Sequence, residues 1–213
     1  MKKLLLVGAG SGSREVLMLV DRINAVSTEW EVVGFLDDNP ELVGSRVDGY
    51  PVLPMEHESP GGDVYVASGI LDADARKRLL DGLSSSHGYR LASLIAPDVV
   101  VPRDFVAGPG CIIMPGVTIS FDVQLARCVF VLWGVALGHH LRVGEFSTLL
   151  SFCTVTGGCS IGPRTTIGAK ATLSIDVHVG EDCLIGVGTT VLRNVADGKR
   201  LVALPRQIET ERS

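Results

Sequence analysis

Residues 134–146 read GVALGHHLRVGEF, and the adjacent pair His139 and His140 is where this chain could do acid–base chemistry. Imidazole titrates near neutrality, so it can take a proton from an attacking amine or hydroxyl and pass it on. The pair admits three readings: a base with a companion, two metal ligands, or two polar residues at a turn. Neighbouring residues rarely point at one ion and the spacing supplies no third ligand, so no metal site is expected. A second candidate lies near the N-terminus. Gly8, Gly10 and Gly12 form a turn after an apolar run, and backbone amides at such a strand-to-helix turn can hold a phosphate. Ser13 breaks the full dinucleotide fingerprint, so a dinucleotide is not expected. Asp37 and Asp38 end the next apolar run, where a ribose or base edge could be read, and Ser68 and Gly69 end a third.

The elements that must position the histidines repeat every six residues. From Ile95 through Val101, Ala107, Ile113, Ile119, Leu125, Val131, Leu137, Val143, Leu149 and onward to Val191, every step except Ala107 is Val, Ile or Leu. A helical period of 3.6 drifts out of phase within two steps, whereas a six-residue period fits a hexapeptide β-helix. Two residues before each aliphatic the chain favours small or β-branched types, including Cys111, Ser147, Cys153, Cys159, Thr165, Ala171 and Cys183. Strand alternation aims them at the same core. Glycine often follows the aliphatic, as Gly138, Gly144, Gly162, Gly168 and Gly186 do, which suits a tight corner. Three strand-plus-corner units make one coil, and stacked coils bury a continuous column. In this register His139 sits at a corner facing outward. Asp122 lies one coil before His140 and is a candidate orienting acid; Gly157 lies one coil after His139. Four of the five cysteines take inward small positions and read as packing thiols, while Cys128 falls outside that register.

Residues 1–92 keep a different rhythm. KLLLVGAG, EVVGFLDDNP and DVYVAS read as strands. SREVLMLVDRI and DADARKRLLDGL read as helices, the second with Ala75, Leu79 and Leu80 on one side. SSSHGYR reads as a flexible link. The expected architecture is α/β plus all-β: a small Rossmann-like parallel-sheet domain over 1–92, followed by a parallel β-helix over 93–213. The formal charge of −5, the absence of basic runs and an aromatic content of 5% argue against nucleic acid. No segment approaches a membrane span and the short N-terminal apolar run is broken at Gly8, so a cytoplasmic protein with free thiols is expected.

This combination resembles the hexapeptide acyltransferases, and more narrowly the acetyltransferases of sialic acid and bacillosamine synthesis. The resemblance is carried over nearly the whole chain by LLLVGAGSGSREV, VVGFLDDNP, LASLIAPDVVVP, LGHHLRVGEFSTL and VALPRQ. It implies a nucleotide-sugar-binding first domain, a left-handed parallel β-helix, a homotrimer and acetyl-CoA as co-substrate. It makes His139 the general base in an intersubunit groove and the Gly157 amide the donor to the thioester oxygen. It places cofactor contacts at Gly157, Gly168, Ala169, Val187 and Gly188, and substrate contacts at Gly8, Gly10, Gly12, Ser13, Asp37, Asp38, Ser68 and Gly69. The chain departs from the pattern in five places. His140 stands where an acid is usual, Thr148 where some members have a cofactor-touching histidine, and Leu132 where an asparagine is common. Ser11 and Ser13 replace glycines of the first turn, and Ala203 and Leu204 replace glycine and asparagine of the closing loop. The expected activity is acetyl-CoA-dependent N-acetylation of a nucleotide-linked amino sugar. The alternatives are O-acetylation of a sugar or serine, and a trimeric homologue without acetyl transfer.

Overall fold

The computed structural model describes residues 1–57, 63–103 and 105–203. The N-terminal domain contains β1 (Lys2–Val7), α1 (Ser11–Val26), β2 (Trp30–Asp37), β3 (Arg46–Val47), β4 (Tyr50–Pro54), β5 (Val64–Ser68), α2 (Ala73–His87) and β6 (Arg90–Leu91). The sheet order is β3-β4-β2-β1-β5-β6, parallel except for the β3–β4 pair. Leu4 to Val7 of β1 are buried because helices or coils cover both faces of the sheet. Helix α1 buries Val16, Leu17, Leu19, Val20 and Ile23 in the same cluster as the β-helix residues Leu94 and Ile112. The order reverses at β1, with β2 on one side and β5 on the other, which opens a crevice beyond their carboxyl ends.

Two sequence expectations change here. SSSHGYR is not a flexible link: Ser84 to His87 complete α2, Gly88 closes it at φ 68, Tyr89 is buried and Arg90 begins β6. Helix α2 starts at an Asp72 cap that accepts from the Ala75 amide at 2.7 Å. Its buried residues are Arg76, Leu80 and Leu83, not Ala75 and Leu79. The helix is turned because Arg76 finds carbonyl partners beneath it, described below.

Where β1 and β5 end, Gly12 and Gly69 meet backbone to backbone, and a β-carbon on Gly12 would strike the Gly69 carbonyl. Gly12→Ala is expected to cost about 1–3 kcal/mol, as overpacking against an unyielding neighbour does. Urea unfolding measures it.

From Leu94 the chain winds into a parallel β-helix. One face carries seven strands, Leu94–Ile95, Ile112–Ile113, Phe130–Val131, Thr148–Leu149, Thr166–Ile167, Leu184–Ile185 and Arg200–Leu201, and docks the N-terminal domain at its start. A second, the threonine face, carries Thr118–Ile119, Ala136–Leu137, Thr154–Val155, Thr172–Leu173 and Thr190–Val191. A third, the polar face, carries Val106–Ala107, Val123–Leu125, Leu141–Val143, Ser160–Ile161 and His178–Val179. Every aliphatic of the six-residue series from Ile113 to Val191 is buried. The series weakens at its start, where Val101 is exposed and outside any strand and Ile95 and Ala107 are half-buried. All five cysteines are buried and free. Cys128 joins them as packing, lying at a corner beside Phe146 and under α2, and burial pushes its thiol up to about 12. Among the described residues no helix is long and apolar enough to cross a membrane.

Candidate functional site

The histidines occupy the corner between the threonine and polar faces. Asp122, His140 and Asp176 take left-handed backbone there, with φ of 55, 52 and 59, and Gly158 completes the column. Aspartate and histidine are among the side chains that tolerate this conformation, which accounts for His140 at a corner. The preceding corner position stacks Phe121, His139 and Gly157. The Phe121 and His139 rings lie nearly parallel, at 11° and 5.2 Å between centroids. On its other side His139 rests against Gly157, where any β-carbon would meet the imidazole. The ring is therefore held between two coils, stacked on Phe121 and lying against the Gly157 backbone. Its Nδ1 lies 2.9 Å from His140 Nδ1, and His140 Nε2 lies 3.1 Å from Asp122 Oδ2. The structure thus brings together His139, His140, Asp122 and Gly157. An imidazole held this way presents one nitrogen to a ligand and is oriented through the other. Among the described residues no group of three or more His, Cys, Asp or Glu is placed to hold a metal ion.

The other four expected cofactor positions are elsewhere. Gly168, Ala169, Val187 and Gly188 lie on the corner between the domain-docking face and the threonine face, in the same column as Leu132 and Trp133. Gly168 lacks a side chain for a packing reason, since a β-carbon would collide with the Gly186 backbone of the next coil. Gly188, at φ 66, has open space around it.

The crevice beyond β1 and β5 has a volume of about 350 Å³ and is lined by Gly8, Gly10, Gly12, Ser13 and Gly69 together with Leu71, Phe130 and Leu132. Helix α1 begins there at Gly10 without a side-chain cap, so its first amides can serve an anion. Ser13, Asp37 and Ser68 also bond the protein's own backbone. Ser13 Oγ donates to Val7 O at 2.7 Å and accepts from the Gly69 amide at 3.1 Å, stitching α1 to both strand ends. Asp37 accepts from the Ala9 and Asn39 amides at 2.7 and 2.9 Å, fixing the glycine turn from behind. Ser68 is buried and accepts from Ile70 N at 3.2 Å, while Asp38 is exposed outside the crevice lining.

Sequence reasoning missed Arg76. Its guanidinium donates to Ile70 O at 2.6 Å, Leu71 O at 3.1 Å, Phe146 O at 2.5 Å and Thr148 Oγ1 at 3.0 Å. It joins the crevice loop to the β-helix, and Thr148, one of the departures from the resembling pattern, is its partner. Burial lowers its pKa to about 10, which leaves it charged at neutral pH. Ala203 of the closing loop is exposed, and Leu204 lies outside the described residues.

Residues 3–83 match the PglD N-terminal domain family. A stretch of 145 residues, 66% of this chain, is 27% identical to GDP-perosamine N-acetyltransferase of Escherichia coli O157:H7, and spans 64% of that enzyme. Among solved structures, PerB from Caulobacter crescentus in complex with CoA and GDP-perosamine superposes with a TM-score of 0.82 at 25% identity, over 99% of this chain and 98% of that one. The acetyltransferase domain of PglB from Neisseria gonorrhoeae FA1090 does so with a TM-score of 0.84 at 23% identity, over 95% and 97%, and shares the fold. Residues 3–83 are thus similar to the PglD N-terminal domain, and the parallel β-helix that follows them shares its fold with these solved acetyltransferase structures.

Proposed function

We propose that this chain transfers acetyl from acetyl-CoA to the amine of a nucleotide-linked amino sugar, in the cytoplasm and as a homotrimer. The observation that carries the reading is the His139 ring, clamped between Phe121 and Gly157 with one nitrogen left for a substrate. The amine lone pair forms a bond to the thioester carbonyl carbon, and His139 takes the amine proton as the bond forms. The Gly157 amide steadies the oxyanion. The thiolate then leaves and is protonated by the imidazolium, so amine plus thioester give amide plus thiol. The first domain holds the nucleotide part in the crevice at the start of α1. Gly188, with open space where a side chain would stand, suits a pantetheine arm lying against backbone. The relatives named above, one of them solved with CoA and GDP-perosamine, support the same class of reaction. Five buried free thiols fit a reducing compartment.

The trimer is supported by where the parts lie. Crevice and Gly188 stand on one edge of the threonine face, and His139 stands on the other. That face presents Thr118, Ala136, Thr154, Thr172 and Thr190 outward, with no charge among them. Copies packed across such faces set one subunit's base beside its neighbour's crevice. Thr154→Glu, which puts three carboxylates in the contact, is expected to give a monomer by sedimentation and to abolish transfer, while the wild type sediments as a trimer.

The test of the activity is a panel of nucleotide amino sugars and their hydroxyl counterparts assayed for thiol release. Release with amino sugars alone supports the reading. Release with hydroxyl sugars or serine instead, or with none of the panel, overturns it.

A further inference from the structure

Behind His139 the hydrogen-bonding groups run in a line, from His139 Nδ1 to His140 Nδ1 at 2.9 Å and from His140 Nε2 to Asp122 Oδ2 at 3.1 Å. We propose that Asp122 and His140 form a relay that holds His139 in its Nδ1–H tautomer and takes over the proton His139 gains during acetyl transfer, an inference that rests on His139 being the base.

The hydrogen assignment follows from counting donors. An ionised carboxylate only accepts, so His140 Nε2 must carry its hydrogen. A neutral imidazole has one donor, so His140 Nδ1 is then a bare acceptor. His139 Nδ1 must donate to it, which leaves the lone pair on His139 Nε2, the nitrogen a base needs. The opposite assignment, a neutral His140 with its hydrogen on Nδ1 and a bare Nε2, would make His139 Nδ1 the acceptor and place the hydrogen on His139 Nε2. Asp122 decides between the two, and does so from a different coil through an intervening ring.

During transfer, the amine proton passes to His139 Nε2 as the new carbon–nitrogen bond forms. The hydrogen on His139 Nδ1 then shifts to His140 Nδ1, so the positive charge comes to rest on the ring that faces the carboxylate. Departure of the thiolate reverses the path: His140 returns its Nδ1 proton to His139, and His139 Nε2 protonates sulfur. The relay ends as it began. The stacked Phe121 and the absent side chain at Gly157 keep His139 from rotating out of line. Among the described residues the ionisable neighbours of His140 are Asp122 at the same corner, Arg142, His178 and the buried Cys159 on the polar face, and Asp176, whose carboxylate lies over Gly158. Ser160 Oγ engages His178 Nδ1 at 2.8 Å, so His178 is held by the face and not by the relay.

The side chains of His140 and Asp122 are 58% and 54% exposed, so replacing them leaves the fold intact. Imidazole nitrogen NMR of the full chain at slightly alkaline pH should show His139 protonated at Nδ1 and His140 at Nε2. In Asp122→Asn and in His140→Phe, His139 should move toward the Nε2–H form. Both variants should lose about 10- to 100-fold in kcat, the scale of a partner that fixes a ring's tautomer, with KM for the nucleotide sugar little changed. Losing the carboxylate disfavours the charged ring, so the acid limb of kcat/KM should move to lower pH. In a His140→Glu background, which puts a carboxylate directly at His139 Nδ1, Asp122→Asn should cost nothing more. A wild-type His139 protonated at Nε2, or unchanged kcat and pH profile in both single variants, overturns the relay. If the wild type shows the expected tautomers but acetylates no nucleotide amino sugar, the functional reading fails and the tautomeric half of the relay is supported.

Discussion

Replacing His139 by alanine is expected to lower kcat for acetyl transfer by about 10²- to 10⁴-fold, the range for losing a positioned general base. The amine must shed a proton as it attacks, and once the ring is gone only solvent can take it. The crevice beyond β1 and β5, proposed above to take the nucleotide, lies away from His139, so KM for the sugar should barely move and the loss should fall on kcat. Gly157→Val provides an independent measure of the same geometry. It leaves the imidazole in the chain but fills the place where the ring lies, pushing it off Phe121. Its kcat should fall nearly as far as that of His139→Ala, and combining the two substitutions should cost little beyond either, since both remove one aligned base. A His139→Ala rate within about tenfold of wild type, below the range for a general base, would place the base elsewhere.

The β-helix was legible because its code is redundant. Each coil repeats the demand for an inward aliphatic and an inward small residue, and no other period satisfies them all. Placing Asp122 against His140 and Gly157 against His139 needed only the coil length, and the Asp122–His140 hydrogen-bond distance and the His139–Gly157 contact bear that spacing out. The N-terminal domain was legible as strands and helices but not in its details. Helical periodicity marks apolar faces, and Arg76 carries a charge, so nothing in the spacing of α2 announces that its most buried side chain is a guanidinium. Asp37 and Ser13 were read as ligand-facing because carboxylates and hydroxyls after strands can be, and each also bonds a backbone amide, Asp37 that of Ala9 in the glycine turn and Ser13 that of Gly69 after β5. Residue type at a turn does not distinguish a group that binds a ligand from one that builds the turn. Ser84 to His87 misled for a similar reason. Serines weaken a helix in isolation, but the Gly88 cap and the burial of Tyr89 extend α2 through them.

Arg76→Met is expected to destabilise the chain by about 3–5 kcal/mol, the scale of removing one side of a buried charge-assisted network. Methionine nearly matches the volume and takes away the buried Nε, which has no partner and costs energy in the native protein. That relief is outweighed at the acceptors. Phe146 O loses a charged donor in a buried place and Ile70 O and Leu71 O lose one in a partly buried place, while Thr148 Oγ1 keeps only its own donation to Leu71 O at 3.2 Å. Arg76→Lys should recover only part of the loss, since one ammonium cannot reach the Ile70 and Leu71 carbonyls and Phe146 O together as a planar fork does. Urea unfolding gives the energy, and the enzyme assay gives a second reading. Ile70 and Leu71 line the crevice, so freeing them from the β-helix should raise KM for the nucleotide sugar with kcat little altered, the reverse of the His139 pattern. A loss below about 1 kcal/mol would mean that water replaces the guanidinium at those carbonyls, and the seam between the two domains would then be wetter than its packing implies.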